Sequence, residues 1–358
     1  MENNSKKKAK LILRDGSEFE GTAFGYSKNT NGEVVFNTGM VGYPETMTDP
    51  SYRGQILVCT YPLIGNYGVP GYEKEDNMLK YFESDAIHCR ALIISDYSEN
   101  YSHWNGKKSL SEWMNEQKIP GIYGIDTRML TKKLREEGTM LGKIIVNEKE
   151  KIDFEDINKL DLVGEVSVKK PVEYNRNGKR VLLIDCGTKN NIIKAFLGRN
   201  ISVLRVPYEY DFLNEKFDGV LISNGPGDPK MCKKTIEHVH KAMDKNIPIL
   251  GICLGSQILA LASGADTYKL KYGHRGHNQP CNEMGTRRCY ITSQNHGYAV
   301  DSETLSEDWR EWFINDNDGT NEGIIHIAKP FFAAQFHPEA SPGPDDSEFI
   351  FDLFVRAL

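Results

Sequence analysis

The second half of the chain alternates short apolar runs with amphipathic segments. Its apolar runs predict strands at 180–186, 201–206, 219–223 and 247–253, and the segments between them predict helices at 190–197, 233–245 and 254–263. Such an alternation is typical of an α/β fold with an open, mostly parallel sheet flanked by helices. Because ligands of these sheets bind at the carboxyl ends of the strands, the residues directly after each strand are the first candidates for function.

The first half is dominated by strand patterns. Short apolar or alternating runs, bounded by glycine, proline, asparagine or aspartate, predict strands at 9–13, 33–37, 55–61, 91–94 and 143–146. Helices are predicted at 110–117 and at 127–137, with Thr127 as the N-cap of the second. We therefore expect a β-rich α+β domain in this half.

The chain changes character between residues 148 and 180, where it becomes charged and poor in large apolar side chains. Residues 175–178, Asn-Arg-Asn-Gly, have the composition of a turn. The sequence therefore predicts two domains, residues 1–175 and 176–358. The length of 358 residues agrees with this division, because a single hydrophobic core rarely grows beyond about 250–300 residues.

Composition argues against several classes of protein. A net charge of −6 disfavours a protein that binds nucleic acid through a basic surface. No stretch approaches the roughly 20 apolar residues of a membrane helix, so we expect no membrane association. The lysine-rich residues 1–10 are not followed by the apolar core of a signal peptide, and we expect a solvated tail there. The seven cysteines form no CxxC pair, which favours a reducing cytoplasm over a disulfide framework or a zinc site.

A candidate nucleophile lies between a predicted strand and a predicted helix. Cys253 stands in Gly251-Ile252-Cys253-Leu254-Gly255, which is the nucleophile-elbow pattern with cysteine in place of serine. Small flanking residues fit such a crowded turn, and the start of a helix favours a thiolate. Seen alone, the same pattern also fits a buried structural cysteine.

A candidate base and its orienting group follow in Phe336-His337-Pro338-Glu339. Pro338 favours an extended backbone, in which residues two apart point to the same side. His337 and Glu339 are therefore expected to face one site, with Glu339 accepting a ring N–H and the other ring nitrogen directed at Cys253. A surface loop is the alternative for this segment taken alone.

Two further segments have the composition of a substrate site. Residues 223–229, Ser-Asn-Gly-Pro-Gly-Asp-Pro, form a shaped loop whose backbone N–H groups can face a developing oxyanion. Residues 294–298, Gln-Asn-His-Gly-Tyr, form a short polar segment suited to covering a small polar substrate. His238 and His240 point to different sides of a predicted helix, and we expect no metal site.

Taken together, these motifs resemble those of the class I glutamine amidotransferases, whose fold is flavodoxin-like. The resemblance rests on residues 223–229, 251–257, 295–298 and 337–339, in that order. Further segments narrow the resemblance to one branch of this family, the small, glutamine-hydrolysing chains of carbamoyl-phosphate synthetase. In the first half these segments are residues 33–43, 48–52, 60–66 and 124–128, and near the end the segment is 339–344.

The resemblance implies a mechanism and a set of site residues. Cys253 is expected to attack the glutamine side-chain amide and form a thioester, with His337 relaying protons and Glu339 orienting His337. The resemblance also implies two groups of residues that bind L-glutamine. Backbone donors for the oxyanion are expected at Gly225, Gly227 and Leu254. The rest of the substrate is expected to be held by Ser51, Gln257, Asn295, Gly297 and Tyr298.

The resemblance further implies a partner. Ammonia is expected to pass through a tunnel to a large synthetase chain, which uses two ATP molecules to make carbamoyl phosphate from bicarbonate for pyrimidine or arginine biosynthesis. We expect no cofactor in this chain, with ATP and Mg²⁺ in the large chain, and no phosphate-binding loop is found here. Whether the chain acts as a free subunit or within a longer fusion is left open.

Some positions depart from the family pattern, and other functions stay open. Ser256 stands where the family usually has histidine, Tyr298 where phenylalanine is common, and residues 274–280 also differ. The alternatives are the glutaminase chain of another amidotransferase, such as that of anthranilate or GMP synthesis, a non-catalytic regulatory subunit, and a cysteine hydrolase acting alone. The first-half segments disfavour the first, and Cys253, His337 and Glu339 disfavour the second. The glutamine-contacting residues disfavour the third.

Overall fold

The computed structural model describes residues 7–358 and divides into two compact units between Leu160 and Asp161. This division precedes the predicted boundary at 175/176. The reason is that the segment after Asp161 belongs to the second unit, where the side chain of Val163 packs in the core. Most of the predicted N-terminal tail, residues 1–6, lies outside the described residues, whereas Lys8 and Lys10 already belong to the first strand.

The first unit contains eleven strands and three α-helices among its described residues. The strands are β1 (Lys8–Leu13), β2 (Glu18–Gly25), β3 (Thr30–Asn37), β4 (Gln55–Cys59), β5 (Leu63–Ile64), β6 (Lys74–Glu75), β7 (Met78–Leu79), β8 (Ala91–Ile93), β9 (Asp96–Tyr97), β10 (Pro120–Tyr123) and β11 (Met140–Ile145). The helices are α1 (Tyr43–Thr48), α2 (Leu110–Glu116) and α3 (Thr127–Glu137), with 3₁₀ turns at Pro50–Tyr52 and Ile157–Lys159.

Seven of these strands close into a barrel in the order β1-β11-β3-β4-β8-β10-β2, with β2 pairing back onto β1. The run β3-β4-β8-β10 is parallel and the other pairs are antiparallel. A closed barrel leaves no unpaired strand edge. Alternate barrel residues such as Leu57 and Leu92 pack with Leu110, Trp113 and Met114 of α2 in one apolar cluster.

The second unit, residues 161–358, contains ten strands and five α-helices. In chain order they are α4 (Leu162–Val166), β12 (Val172–Tyr174), β13 (Arg180–Asp185), α5 (Asn190–Gly198), β14 (Ser202–Pro207), β15 (Gly219–Ile222), α6 (Lys233–Asp244), β16 (Ile249–Ile252), α7 (Leu254–Ala262), β17 (Asp266–Glu283), β18 (Cys289–Asp301), β19 (Trp309–Asn315), β20 (Asn321–His326), β21 (Phe331–Ala334) and α8 (Phe349–Ala357). Two 3₁₀ turns occur at Pro229–Met231 and Ser302–Thr304.

These strands form one open sheet in the order β12-β14-β13-β15-β16-β21-β20-β19-β17-β18. The run β14-β13-β15-β16-β21 is parallel, and its strands are apolar on both faces because helices cover them. The rest of the sheet is antiparallel, ending in the long β17–β18 hairpin. The predicted α/β sheet is therefore confirmed, but its parallel part makes up only half of the strands.

The predicted strands and helices of the second half lie within two residues of their observed bounds. One local prediction is wrong: the N-cap of α3 is Asp126, whose carboxylate accepts the N–H of Met129, and Thr127 is the first helical residue. Aspartate one position earlier is at least as good a cap, and it reaches the third N–H of the helix. Among residues 7–358, no helix is long and apolar enough to cross a bilayer.

Candidate active site

Cys253 occupies the turn between β16 and α7 with a strained backbone. Its φ of 54° and ψ of −107° lie outside the common regions for a residue with a Cβ. Such a conformation costs about 1–3 kcal/mol and persists only where the surroundings impose it. Here the N–H of Cys253 donates to Ala334 O at 2.9 Å, and its carbonyl accepts the N–H of Ser256 at 3.0 Å. The neighbouring strand and the first turn of α7 therefore hold the thiol at the carboxyl edge of the parallel strands.

Both glycines of the elbow are required by close backbone contacts. A Cβ on Gly251 would lie 2.4 Å from Gly255 O, and a Cβ on Gly255 would lie 2.0 Å from Ile222 O. Neither distance is compatible with a real carbon–oxygen contact, and both opposing atoms belong to the backbone. The prediction that only small residues fit beside the nucleophile is confirmed by this geometry.

His337 and Glu339 lie beyond the end of β21 and form a short hydrogen bond. His337 Nδ1 is 2.6 Å from Glu339 Oε1, and both side chains are buried. The N–H of His337 also donates to Ser293 O at 2.9 Å, which ties this segment to β18. Since Glu339 accepts from Nδ1, the Nε2 atom of His337 is the one available to a reactant, as the extended His-Pro-Glu pattern predicts.

The thiol of Cys253 lies beside this imidazole. It interacts with the His337 side chain and is one of the groups that raise its pKa. Among the described residues, Nε2 of His337 is buried and makes no hydrogen bond of acceptable geometry. The sulfur of Cys253 is directed at Asn295 O, 3.6 Å away. Contacts between a nucleophile and its base are often loose before substrate binds, and the two side chains lie next to each other here.

Charge around the pair favours an imidazolium opposite a carboxylate. Burial is the largest influence on the pKa of His337 and lowers it, but the charge of Glu339 and the hydrogen bonds with Cys253 and Glu339 together outweigh burial, and the net pKa is well above the ordinary value. Burial is also the largest influence on the pKa of Glu339 and raises it, but the charges of Lys189 and His337, together with hydrogen bonds, hold that pKa well below its usual range. A charged imidazole beside a thiol is the environment in which a thiolate is stabilised.

Lys189 is a site residue that the sequence analysis missed. Its Nζ lies 3.0 Å from Glu339 Oε1, and only 3% of its side chain is exposed. Nζ also donates to Ala340 O at 2.5 Å, and the backbone N–H of Lys189 donates to Asn224 Oδ1 at 3.1 Å. One signal was present, because Lys189 follows the predicted strand that ends at Cys186 and so lies at the carboxyl edge of the sheet.

Gly225 and Leu254, two of the predicted oxyanion donors, belong to neighbouring segments. A Cβ on Gly225 would lie 2.1 Å from Cys186 O and 2.9 Å from Leu254 Cδ2. Gly225 therefore packs against the strand end of β13 and against the first residue of α7. Gly227 has a φ of +86°, a conformation that favours glycine. The loop is shaped as the sequence predicts, and its donor role stays a prediction.

The predicted glutamine-contacting residues of α7 and β18 are joined by one hydrogen bond. Gln257 Nε2 donates to Tyr298 O at 2.9 Å, and also to Gln335 Oε1 at 3.0 Å. Asn295 reaches the thiol through its carbonyl, and Gly297 lies between Asn295 and Tyr298 on β18. The structure thus brings these four residues to the thiol side of the sheet, while their contacts with substrate stay predictions.

Ser51 belongs to the first unit. It lies in the 3₁₀ turn Pro50–Tyr52, where it is buried, and its backbone N–H donates to Asp49 Oδ1 at 2.9 Å. This hydrogen bond holds the start of the turn in place. The predicted contact of Ser51 with glutamine stays a prediction.

Two family models match the chain. The model for the carbamoyl-phosphate synthase small chain, CPSase domain, matches residues 11–144, and the model for glutamine amidotransferase class-I matches residues 182–357. Together they span the barrel unit and the sheet unit that carry the features described above.

Curated relatives agree with these models. The chain is 52% identical over 358 residues to the carbamoyl phosphate synthase arginine-specific small chain of Neurospora crassa, covering 97% of this chain and 79% of that one. It is 53% identical over 354 residues to the multifunctional protein CAD of Squalus acanthias, but covers only 16% of that protein. The chain spans between 16% and 21% of the length of the multifunctional relatives it matches.

One similar solved structure is that of a putative GMP synthase component from Thermoplasma acidophilum. It is 24% identical, covers 50% of this chain and 93% of its own, and has a TM-score of 0.45.

Proposed function

The chain belongs to the family of carbamoyl phosphate synthase small chains, and we propose that it hydrolyses L-glutamine and supplies ammonia to a large synthetase chain. The observation that carries the proposal is the arrangement of Cys253, His337 and Glu339. A strained cysteine at a helix start lies beside a buried histidine whose other nitrogen is held by a carboxylate. This is the geometry of an activated thiol nucleophile.

In the proposed reaction, the thiol proton of Cys253 passes to Nε2 of His337, and the Cys253 sulfur attacks the carboxamide carbon of glutamine. A tetrahedral intermediate forms, and backbone N–H groups at Gly225, Gly227 and Leu254 stabilise its oxyanion. The imidazolium of His337 gives its Nε2 proton to the leaving nitrogen, so ammonia departs and a glutamyl thioester stays on the enzyme. Water then loses a proton to His337 as it attacks the thioester, which releases glutamate and restores the thiol pair.

Glu339 and Lys189 act through His337 and not directly on the substrate. The carboxylate of Glu339 accepts from Nδ1 of His337, which fixes the ring and stabilises the imidazolium. The ammonium of Lys189 contacts the same carboxylate oxygen as His337 and keeps the carboxylate charged. Both are positioning residues in this proposal.

The wider role in the proposal involves a partner. The large chain would bind ATP and Mg²⁺ and convert bicarbonate and the delivered ammonia to carbamoyl phosphate. The names of the relatives support this assignment, since they include an arginine-specific small chain and multifunctional proteins. The seven cysteines are all free, which supports the proposal that the reaction takes place in the reducing cytoplasm.

The decisive experiment compares Cys253→Ser with the wild type in a complex reconstituted with a large synthetase chain. We expect glutamine-dependent synthesis of carbamoyl phosphate to be lost, because a serine hydroxyl is too weakly acidic to replace the thiol. Synthesis from added ammonium should persist at the wild-type rate, because that chemistry lies in the other chain. Unchanged glutamate release by the variant would contradict the proposal and favour a purely regulatory role for the chain.

A further inference from the structure

A second buried polar cluster lies on β17, β18 and β20. It consists of His274, His296 and Glu322, whose side chains are almost entirely inaccessible to solvent. His274 and His296 are direct cross-strand partners in the β17–β18 hairpin. One ligand-type atom from each of the three residues lies within 4.8 Å of the others. None of these side chains takes part in the mechanism proposed above.

The hydrogen bonds of the two histidines leave one nitrogen of each directed into the cluster. His296 Nδ1 donates to Tyr298 O at 2.8 Å, which leaves Nε2 with a lone pair. His274 Nε2 donates to Asp318 Oδ2 at 2.8 Å, and Nδ1 is hydrogen-bonded to Glu322 Oε1 at 3.0 Å, so a proton occupies the place between Nδ1 and Glu322 that a bound metal ion would take. A metal-binding histidine characteristically donates its other N–H to a carbonyl or a carboxylate, as both rings do here.

Without a metal ion, the lone pair on His296 Nε2 faces two acceptor oxygens. His296 Nε2 faces Glu322 Oε1 at 3.6 Å and Gln294 Oε1 at 3.3 Å, and both oxygens are acceptors. The orientation of the Gln294 amide is fixed, since its Nε2 donates to Thr292 Oγ1 at 3.1 Å. Among the described residues, Oε2 of Glu322 is also buried with no hydrogen-bond partner. Buried acceptors facing acceptors cost free energy unless a cation or an added proton lies between them.

Two of the three ligand-atom separations are close to those around a small tetrahedral cation. His274 Nδ1 lies 3.0 Å and His296 Nε2 lies 3.6 Å from Glu322 Oε1. Asn315 Nδ2 approaches Glu322 Oε1 at 3.3 Å, and this long contact satisfies the oxygen only weakly. Ligands around tetrahedral zinc are separated by about 3.3 Å, given metal–ligand bonds of about 2.0–2.1 Å. Two imidazoles and a carboxylate are a common zinc ligand set, whereas Mg²⁺ and Ca²⁺ prefer oxygen ligands only.

We propose that His274 Nδ1, His296 Nε2 and Glu322 bind one Zn²⁺ ion, with the Gln294 amide oxygen or a water in the fourth position. The ion would hold β17, β18 and β20 together directly beside Asn295, whose carbonyl accepts from the Cys253 thiol. Because the site is buried, we assign the ion a structural role: it would stabilise the part of the sheet in which β17, β18 and β20 meet. This inference does not depend on the proposed function of the chain.

The test uses the full chain without a polyhistidine tag. The wild type is purified without chelator, its zinc content is measured by plasma mass spectrometry, and the metal-free protein is titrated with zinc against a chromophoric chelator. We expect one equivalent of zinc per chain, and a rise in the melting temperature on zinc addition that Mg²⁺ does not produce. Glu322→Gln and His274→Gln should lose the zinc, while the exposed control variants His103→Gln and Glu303→Gln should keep it.

X-ray absorption at the zinc edge gives a readout that needs no variant. We expect only nitrogen and oxygen scatterers, with the multiple-scattering signature of imidazole; sulfur scatterers would place the zinc on cysteines and overturn the proposal. A folded wild type that neither retains nor takes up zinc would also overturn it. The same holds if the cluster variants bind zinc as the wild type does.

Discussion

The Nζ atom of Lys189 lies 3.0 Å from Oε1 of Glu339, in a place where both side chains are excluded from water. The same carboxylate oxygen accepts from Nδ1 of His337 at 2.6 Å. One oxygen therefore joins a fixed positive charge to the ring that faces the thiol. An ion pair so deeply buried is costly to break, because removing one partner leaves an uncompensated charge.

Lys189→Met tests this relationship. Lys189 is the leading charge that lowers the pKa of Glu339, so that pKa should rise when the ammonium is removed. The acidic limb of the kcat/KM profile for glutamine hydrolysis should then move to higher pH, because the carboxylate is lost at a higher pH. Breaking the pair should also lower the free energy of unfolding by about 3–5 kcal/mol. Lys189→Arg is the matched control and should keep the position of the acidic limb. An unshifted acidic limb in Lys189→Met would show that Lys189 does not influence glutamine hydrolysis through Glu339.

Glu339→Gln should impair glutamine hydrolysis less than His337→Asn. Orienting a base contributes less than being the base, and the difference should appear in kcat. The charge of Glu339 is the main influence that raises the pKa of His337 above 6.5, so the NMR titration of the ring should move to lower pH in Glu339→Gln. Equal inactivity of the two variants, with both folded, would require a different role for Glu339.

The raised pKa of His337 predicts how the stability of the protein changes with pH. A histidine whose pKa is raised in the folded state stabilises that state fully below its unfolded pKa, and the contribution is lost as pH rises through the folded value. The difference in unfolding free energy between wild type and Glu339→Gln should therefore shrink as the pH is raised through the folded pKa of His337. Denaturant titrations at a series of pH values measure this difference in unfolding free energy. A difference that grows toward high pH would contradict the inference that Glu339 raises the pKa of His337.

Gly255→Ala should destabilise the protein and disturb the nucleophile. The added Cβ would lie 2.0 Å from Ile222 O, a backbone atom that cannot move aside cheaply. We expect a loss of about 1–3 kcal/mol or more in unfolding free energy, together with slower glutamine hydrolysis. Gly198→Ala is the control, since nothing lies within 4 Å of its Cβ, and a helix gains up to about 1 kcal/mol from this change. Similar stabilities for the two variants would show that β15 and α7 can separate without penalty.

Ser256→Ala should be neutral or stabilising. Within the part of the chain that the structure describes, Ser256 Oγ is buried and has no hydrogen-bond partner. Removing an unpaired buried hydroxyl costs little, and alanine favours the helix by a few tenths of a kcal/mol. Ser263→Ala is the contrasting control, because Ser263 Oγ donates to Ala260 O at 2.7 Å and its removal should cost about 0.5–1.5 kcal/mol. Thermal melts of the two variants measure both effects, and a clear loss in Ser256→Ala would reveal an unseen partner for that hydroxyl.

Local patterns in the sequence determined the features that depend on neighbours along the chain. The two glycines around Cys253 encode a tight strand-to-helix turn, and Pro338 keeps His337 and Glu339 on the same side of an extended segment. The strand–helix alternation likewise predicted the parallel strands and their helices. Each of these signals is read within a few residues, because backbone conformation is set largely by local sterics.

Only the tertiary structure decided which distant residues meet. Lys189 joined Glu339 across 150 residues of sequence, the first-half strands closed into a barrel, and His274, His296 and Glu322 converged from three strands. The antiparallel β17–β18 hairpin, with its register shifts, carried no clear period that would predict it. Burial is what gives these contacts their energy, since a charge or a ring nitrogen must find a partner once water is removed. Which partner it finds depends on the order of strands in the sheet, and no local pattern encodes that order.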